Sequence, residues 1–338
     1  MKTYLVGRKQ FVSVPGSNSS SLIIKHGVPQ GSVLGPLLFL IYINDLHHAV
    51  VHSIIHHFAD DTNILHFNKN LKSLTKKLNQ DLKFLWHWLN ANKISLNASK
   101  TEYIIFKQNS KSITHKVKLS IGGKRLCPSS SIKYLGVFLD AKLNWKTQIN
   151  SIAFKLKRTN AILAKLRHFV PKEVLISAYH ALFTSHLNYC CQIWGQSSSS
   201  LVNRIRTLQN HALRLMTFSH YRLHASPLYN LLKILKFQDI VTMQNALFLH
   251  DISNLNLPQA IVDTFSIDLS HAYNTRANAF GLINPPSFNT MTYGSKSIKK
   301  HSIRSWNKCQ SDLKPINLVE LSRSQLKNHL KKYFFDHY

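Results

Sequence analysis

Acidic residues are scarce in this chain of 338 residues. Only 14 Asp and Glu stand against 43 Lys and Arg, which gives a formal net charge of +29, and 20 His add positive charge as the pH falls. So large an excess is typical of a protein with a polyanionic partner, of which nucleic acid is the most common. From charge alone, the alternative is a ribosomal-type or membrane-surface basic protein. An enzyme acting on a neutral small molecule does not need this charge.

Cysteines are also few, and long apolar runs are lacking. Cys127, Cys190, Cys191 and Cys309 form no Cys-x-x-Cys pair and no Cys/His spacing for a zinc knuckle. Free thiols suit a reducing compartment, and we expect the adjacent pair to pack as small apolar residues. The run Leu37–Ile43 is too short to cross a bilayer, and no signal peptide opens the chain. We therefore expect an intracellular protein of the nucleus and/or cytoplasm, without a membrane partner.

What the chain does contain is a glycine-bearing turn that runs into an apolar helix. Its sequence is Gly27-Val-Pro-Gln-Gly-Ser-Val-Leu-Gly-Pro36. Ser32 is predicted to cap the helix, and Pro36 is tolerated in a first turn. Because Leu37–Ile43 is apolar nearly all round, the pattern predicts a buried, central helix. Upstream, Tyr4–Ile24 reads as two half-buried strands around a Pro-Gly turn.

Two adjacent carboxylates follow in Phe58-Ala-Asp-Asp61. The flanking runs Ile54–Phe58 and Asn63–Phe67 predict a hairpin with residues 59–62 at its tip. Neighbouring carboxylates repel each other, and a divalent cation removes that repulsion. Mg²⁺ takes carboxylate oxygens and completes its shell with water and substrate phosphates.

Together with Ile43-Asn-Asp-Leu46, these two motifs resemble the palm motifs of reverse transcriptases, specifically those of non-LTR (LINE-type) retrotransposons. The resemblance implies RNA-templated DNA synthesis, in which a primer 3′-OH attacks the α-phosphate of a dNTP held by two Mg²⁺ ions. It implies an RNA template and a DNA primer as partners. Asp60 and Asp61 become the catalytic metal ligands, and Lys100 lies near the pyrophosphate leaving group.

The resemblance also places the nucleotide and the template beside five residues, namely Pro29, Gln30, Gly31, Phe58 and Ala59. Alternatives remain open for several of these side chains. Gln30 is otherwise a turn residue that satisfies local backbone groups, and Lys100 is otherwise a solvated lysine at a strand end. The strand histidines His56 and His57 are either metal ligands or structural, phosphate-facing residues.

Further along, apolar periodicity predicts a helix over Leu71–Leu89 that ends at Asn90 and Asn92. Ile94–Asn97 and Thr101–Phe106 are predicted strands, and Val117–Leu126 and Tyr134–Asp140 are predicted hairpins. The second hairpin resembles the family's primer grip, which assigns that role to Tyr134, Leu135 and Gly136.

From Gln148 the period becomes helical, and three basic helices follow, the last of them after a polar linker over residues 197–200. They resemble the family's thumb, and few acids balance their charge. We therefore expect six side chains to contact the nucleic-acid backbone: Lys155, Lys157, Arg158, Arg204, Arg206 and Arg214. After about residue 251, Tyr273–Arg276, Tyr293–Gly294 and Ser305–Asn307 look like the tail that follows the thumb, and Leu318–Phe335 is a final amphipathic helix.

The prediction is an α+β fold. It comprises an incomplete reverse-transcriptase palm (an antiparallel sheet with packed helices, 1–146), an α-helical thumb (147–250) and a basic tail region (251–338). The family's fingers and its first metal-binding Asp are expected upstream of Met1. The chain is therefore predicted to be truncated, to hold one Mg²⁺ weakly and to be weak or inactive alone. The alternative is a non-catalytic nucleic-acid-binding remnant; the oligomeric state is not predicted.

Overall fold

The computed structural model describes residues 2–25, 27–107, 117–265, 282–283, 287, 294, 297–313 and 316–338. The chain divides into two compact units. The first comprises Met1–Tyr103 and Asn109–Ser129, and the second comprises Ile104–Gln108 and Ser130–Tyr338. The division into palm, thumb and tail stays a prediction. Tyr273–Arg276 and Tyr293 lie outside the described residues.

The first unit mixes short strands with three helices and one 3-10 helix. Its helical segments are α1 (Lys2–Leu5), α2 (Leu34–Ile43), the 3-10 helix Asn44–Ala49 and α3 (Leu71–Ala91). Its strands are β1 (Lys9–Gln10), β2 (Ser13–Val14), β3 (Ser17–Asn18), β4 (Leu22–Ile23), β5 (Ile54–Phe58), β6 (Asp61–Leu65), β7 (Glu102–Tyr103), β8 (Ser120–Ile121), β9 (Lys124–Arg125) and β10 (Cys127–Pro128).

The strands of the described residues pair only two by two. β7 and β10 run parallel, and every other pair is antiparallel. The mixed helix-and-strand class is confirmed, but the continuous antiparallel sheet that we predicted does not form among these residues. Ile94–Asn97 is irregular rather than a strand, and the strand predicted over Thr101–Phe106 shrinks to β7.

The N-terminal hairpin forms as predicted, with Ser13 opposite Asn18 and Val14 opposite Ser17. Two details of the prediction are wrong. Tyr4 lies in α1 rather than in a strand, and both faces of the ribbon are exposed. Alternation of apolar residues predicts a strand, but it produces burial only where another element covers one face.

Helix α2 is the largest departure from the sequence prediction. Pro36 lies in its first turn as expected, but the side chains of Leu37, Leu40 and Ile41 are 51%, 51% and 61% exposed. Ile43 alone among its apolar side chains is fully buried. An all-apolar sequence indicates that a helix needs cover, and the described elements cover only part of this one.

Helix α3 forms as the leucine periodicity predicts. Asn70 caps it by accepting hydrogen bonds from the N–H groups of Lys72 and Ser73, and Asn92 follows its last turn. Leu82, Leu85 and Leu89 are buried, so this helix forms the core of the first unit together with the β8–β9 hairpin.

The second unit is mainly helical and begins with one hairpin, β11 (Ser131–Tyr134) with β12 (Val137–Asp140). Its helices are α4 (Lys146–Leu166), α5 (Lys172–Tyr179), a π-helical turn (His180–Thr184), α6 (Ser185–Asn188), α7 (Cys191–Trp194), α8 (Ser199–Met216), α9 (Ser226–Leu232), α10 (Phe237–Ser253), α11 (Gln259–Phe265), α12 (Ile298–Asp312) and α13 (Arg323–Asp336).

One apolar core runs through the second unit from α4 to α13. The predicted stripe of α4 is confirmed by the burial of Ile149, Ile152, Leu156 and Leu163. Helix α8 begins at Ser199, so it includes the last two residues of the predicted linker. Trp306 of α12 is fully buried, so this part of the predicted tail belongs to the same core.

The last predicted helix is confirmed but starts later, because a capping box between Ser322 and Gln325 fixes its first turn. The four cysteines are free thiols, with Cys191 fully buried as a small apolar residue. Among the described residues, no helix is long and apolar enough to span a membrane.

Candidate metal and nucleic-acid site

The two adjacent carboxylates lie where strand β5 turns back into β6. Phe58 pairs with Asp61, so the turn contains only Ala59 and Asp60. The predicted four-residue tip is therefore too long, because Asp61 and Thr62 belong to the strand. Ala59 has a positive φ of 52°, a conformation that costs energy for a residue with a Cβ and that clusters at functional sites.

Both carboxylates are exposed, as is the side chain of Phe58 next to them. Within the described residues, no group of three His, Cys, Asp or Glu side chains could enclose a metal ion. The donor set nevertheless fits Mg²⁺, because this ion is commonly held by one or two carboxylates and completes its shell with water and phosphate oxygens. Among the described residues, His56 and His57 do not complete such a group with the two carboxylates. His56 is exposed, and Nδ1 of His57 lies 3.3 Å from Oγ1 of Thr62.

A buried carboxylate that we did not single out from the sequence anchors this hairpin. Asp81 of α3 is fully buried, and it accepts hydrogen bonds from the backbone N–H groups of Val51 (3.0 Å) and His52 (3.1 Å). It also accepts the hydroxyl hydrogen bond of Ser53. These residues directly precede β5, so Asp81 attaches the start of the hairpin to helix α3. Its burial could have been predicted from the sequence, because Asp81 lies on the same face of α3 as the leucines.

Ser32 stabilises the glycine-bearing turn, but it is not the N-cap residue of α2 as we predicted. The hydroxyl of Ser32 donates to the carbonyl oxygen of Pro29 at 2.8 Å and accepts from the N–H of Gly35 at 3.2 Å. The helix starts later, with Val33 as its N-cap residue. Gly31 has a positive φ of 81°, and a Cβ at Gly35 would lie 2.8 Å from the Ser32 hydroxyl oxygen.

The predicted nucleotide-contacting residues are accessible in this turn. Gln30 and Gly31 are exposed and Pro29 is half-buried. Lys100 is also exposed, but it lies in a turn over residues 98–100 and not at a strand end. Its backbone N–H donates to the carbonyl oxygen of Asn97 at 3.1 Å. The roles of these residues stay predictions.

The primer-grip-like hairpin forms in the second unit with Tyr134 opposite Val137. Leu135 and Gly136 make its turn, both with positive φ. The hydroxyl of Tyr189 donates to the carbonyl oxygen of Leu135 at 2.6 Å, and a Cβ at Gly136 would lie 3.3 Å from the Tyr189 ring. The close approach that Gly136 permits is therefore made by Tyr189, and the primer-grip role of Tyr134, Leu135 and Gly136 stays a prediction.

Asp140, at the end of this hairpin, is a structural carboxylate. It is buried, and it accepts hydrogen bonds from the N–H groups of Lys142 (3.1 Å), Asn144 (3.0 Å) and Trp145 (2.8 Å). These bonds satisfy the backbone just before α4, which begins at Lys146.

The six predicted phosphate-contacting residues lie on two helices that pack together, α4 and α8. Asn160 of α4 joins them by donating to the carbonyl oxygen of Leu208 at 3.0 Å. Five of the six basic side chains are exposed, and only Arg214 is half-buried. Nε of Arg214 donates to the carbonyl oxygen of Leu223 at 2.8 Å. The two helices thus present basic groups around a buried apolar seam.

Gln209 is a second polar residue that the sequence analysis missed. It is fully buried in α8, and its Oε1 accepts from the N–H of Phe237 (3.0 Å) and the hydroxyl of Tyr229 (3.2 Å). Its Nε2 donates to the carbonyl oxygen of Leu235 at 2.9 Å. Like Asp81, it sits within an apolar stripe, four residues after Ile205.

Residues 1–139 match the family described as "Reverse transcriptase (RNA-dependent DNA polymerase)". The chain is 30% identical over 250 residues to the "RNA-directed DNA polymerase from mobile element jockey" of Drosophila melanogaster, which is 71% of this chain and 27% of that protein. It is 27% identical over 259 residues to the "Probable RNA-directed DNA polymerase from transposon X-element" of the same species, 74% of this chain and 28% of that protein.

The chain thus spans about a quarter of the length of these curated relatives. No solved structure matches it. Residues 1–139, which include the Asp60–Asp61 hairpin, thus form a reverse transcriptase domain, and the relatives of the chain are named as RNA-directed DNA polymerases of non-LTR mobile elements.

Proposed function

We propose that this chain supplies the carboxylate hairpin and the template–primer-binding helices of a reverse transcriptase, whose reaction is RNA-templated DNA synthesis. The observation that carries the proposal is the exposed Asp60–Asp61 pair at a hairpin turn within the region that matches the family. An RNA template, a DNA primer and a dNTP are the partners that this reaction requires.

In this proposal, residues 1–146 are the palm, and Asp60 and Asp61 hold Mg²⁺. The ion, when bound, stabilises charge on the attacking and leaving oxygens of the phosphoryl transfer. The chain's own residues position the substrates: Gln30 and Gly31 lie beside the nucleotide and template, and Lys100 offers a positive charge to the leaving group. Asp81 acts indirectly, because it anchors the segment that leads into the hairpin.

Residues 147–250, in the second unit, are the proposed thumb. Exposed basic side chains on α4 and α8 meet few acidic neighbours in a chain of net charge +29. Such a surface binds the phosphates of a duplex with little dependence on sequence, and binding releases condensed counterions. We expect contact with roughly five to eight phosphates, which gives a log–log salt slope of about −4 to −7.

Fluorescence anisotropy with a labelled RNA–DNA hybrid tests this proposal. We expect affinity to fall steeply as salt rises, and the slope to flatten by about one in the exposed variant Lys157→Gln. Lys83→Gln on α3 of the first unit removes the same charge and should leave the slope unchanged. A flat salt response of the wild-type chain would contradict template–primer binding.

A non-catalytic nucleic-acid-binding protein is the second candidate. It is favoured by one observation, namely that the described residues bring no third metal-binding side chain to the two carboxylates. Both candidates bind nucleic acid, and only in the first do Asp60 and Asp61 contribute to primer extension.

A further inference from the structure

The second unit contains a cavity of about 340 Å³ between α8, the start of α9 and the start of α10. Four basic residues line it: Arg206, Arg214, His224 and Lys236. No Asp or Glu belongs to its lining in the described part of the chain. Its volume is at the lower end of the range for small-ligand sites, about 300–1,000 Å³.

Neighbouring groups fix two of the lining side chains in place. Arg214 donates from Nε to the carbonyl oxygen of Leu223 at 2.8 Å, which leaves its two terminal nitrogens to donate elsewhere. Asn210 accepts the hydroxyl hydrogen bond of Tyr229 at 2.7 Å, so its side-chain NH₂ group remains a donor. The wall of the cavity is therefore built of oriented donors.

Lys236 is held by the last residue of the chain. Its backbone N–H donates to the hydroxyl oxygen of Tyr338 at 2.8 Å, and its Nζ lies 3.8 Å from the centre of the Tyr338 ring. The nearby carboxylate of Asp239 accepts the Tyr338 hydroxyl hydrogen bond at 2.6 Å. Tyr338 thus positions Lys236 at the cavity wall and links it to Asp239, which lies outside the lining.

Both guanidinium groups act on the interior of this cavity. Burial raises the pKa of the Tyr229 phenol, as do Tyr179 and the negative charge of Asp239, whereas the positive charges of Arg206 and Arg214 lower it. Arg206, Asn210 and Arg214 follow one another at steps of four residues along α8, so they lie on one face of the helix and line the same cavity.

The basic residues that share this lining indicate an anionic ligand. A phosphodiester within a strand carries one negative charge, but a terminal phosphate monoester carries nearly two, and arginine forks bind it with paired hydrogen bonds. We propose that this cavity, the Arg206 pocket, binds the terminal phosphate monoester of a nucleotide. The pocket is a separate site from the Asp60–Asp61 hairpin, and its use goes beyond contact with a duplex backbone.

Two oligouridines of identical sequence, one with a 5′-phosphate and one with a 5′-hydroxyl group, test the pocket in the full chain. We expect the 5′-phosphate to tighten binding about tenfold, as charge-assisted hydrogen bonds do. Arg206→Gln and Lys236→Gln should bring the ratio of the two affinities toward one. The ratio is the readout, because a general loss of positive charge weakens both oligonucleotides alike.

Arg222→Gln is the matched control. Arg222 is exposed, lies outside the lining and places its guanidinium 5.2 Å from the ring centre of Tyr221. This variant should keep the tenfold ratio. Uridine 5′-monophosphate as a competitor then identifies the source: displacement at equal concentration indicates a free nucleotide, and weaker displacement indicates a strand end.

Equal affinity of the wild-type chain for the two oligouridines would contradict phosphate binding in the Arg206 pocket. So would an equal fall of the ratio in Arg206→Gln and Arg222→Gln. Neither outcome contradicts the proposed polymerase function, because the salt slope on the RNA–DNA hybrid measures template–primer binding separately.

Discussion

The buried carboxylate of Asp81 and the hydroxyl of Ser53 are joined by a hydrogen bond of 2.5 Å. Together with the bonds from Val51 and His52, it ties helix α3 to the segment that enters β5. Asp81→Ala leaves these donors without their acceptor inside the protein. We expect a loss of unfolding free energy on the order of 3 kcal/mol, measured as a lower urea midpoint.

Asp81→Asn keeps one acceptor oxygen and should lose less than Asp81→Ala. Glu102→Gln, at an exposed acid of the same unit, is the control and should leave the midpoint in place. If Asp81→Ala unfolds at the wild-type urea concentration, Asp81 does not anchor the hairpin.

Three histidines make stability depend on pH. Burial lowers the pKa of His57, His180 and His186, and a neighbouring positive charge acts in the same direction for each. The unfolded chain therefore binds more protons than the folded chain, so stability is lost as the pH falls through the ordinary histidine pKa near 6.5. The urea midpoint should be lower at about pH 5.5 than at about pH 7.5.

The variant His57→Gln/His180→Gln should reduce this difference between the two pH values. His87→Gln, at an exposed position on α3, is the matched control and should preserve it. A difference that is the same in all three proteins would assign the pH effect to net charge.

Much of the local structure could be predicted because it depends on local sequence. The Asp60–Asp61 hairpin, α3, α4 and α8 follow from two periods of apolar residues and from turn residues between them. The burial of α2 could not be predicted in this way. An apolar face indicates a need for cover, but the cover comes from other elements, and the described ones leave much of α2 exposed.

The buried polar residues were missed for a different reason. An Asp in a helix is usually solvated, so Asp81 attracted no interpretation, although it lies three residues after Leu78 and four before Leu85. Gln209 lies four residues after Ile205 and three before Ala212. A polar residue inside an apolar stripe predicts a buried hydrogen-bond network. The sequence does not identify the hydrogen-bond partners of such a residue, because they lie in distant segments of the chain.

Metal binding at the hairpin can be measured without catalysis. Mn²⁺ replaces Mg²⁺ at sites of carboxylate oxygens and is visible by electron paramagnetic resonance. We expect weak Mn²⁺ binding that Asp60→Asn/Asp61→Asn abolishes and Glu102→Gln retains. Because both carboxylates are exposed and adjacent, Asp61→Asn should leave the urea midpoint unchanged or slightly raised. A large fall in that midpoint would make the pair structural.

Primer extension tests whether this chain is sufficient for DNA synthesis. Two carboxylates on one hairpin hold a single Mg²⁺ loosely, with water filling the shell. Two-metal chemistry needs ions about 3.5–4 Å apart, held by shared ligands. The described residues add no third ligand to the pair, and the buried Asp140 is occupied by the backbone that precedes α4. We therefore expect this chain alone to bind a template–primer without extending it.

The measurement is extension of a labelled DNA primer on an RNA template with Mg²⁺ and all four dNTPs, beside Asp60→Ala/Asp61→Ala. Both proteins should give the same background, while anisotropy in the same buffer shows that the hybrid is bound. Retained binding matters, because without it the absence of product would say nothing about the metal site. Extension well above the double variant would require a further metal ligand within these residues. Glu102→Gln would then be the first variant to make, because that carboxylate is exposed, whereas Asp140→Asn would also disturb the start of α4.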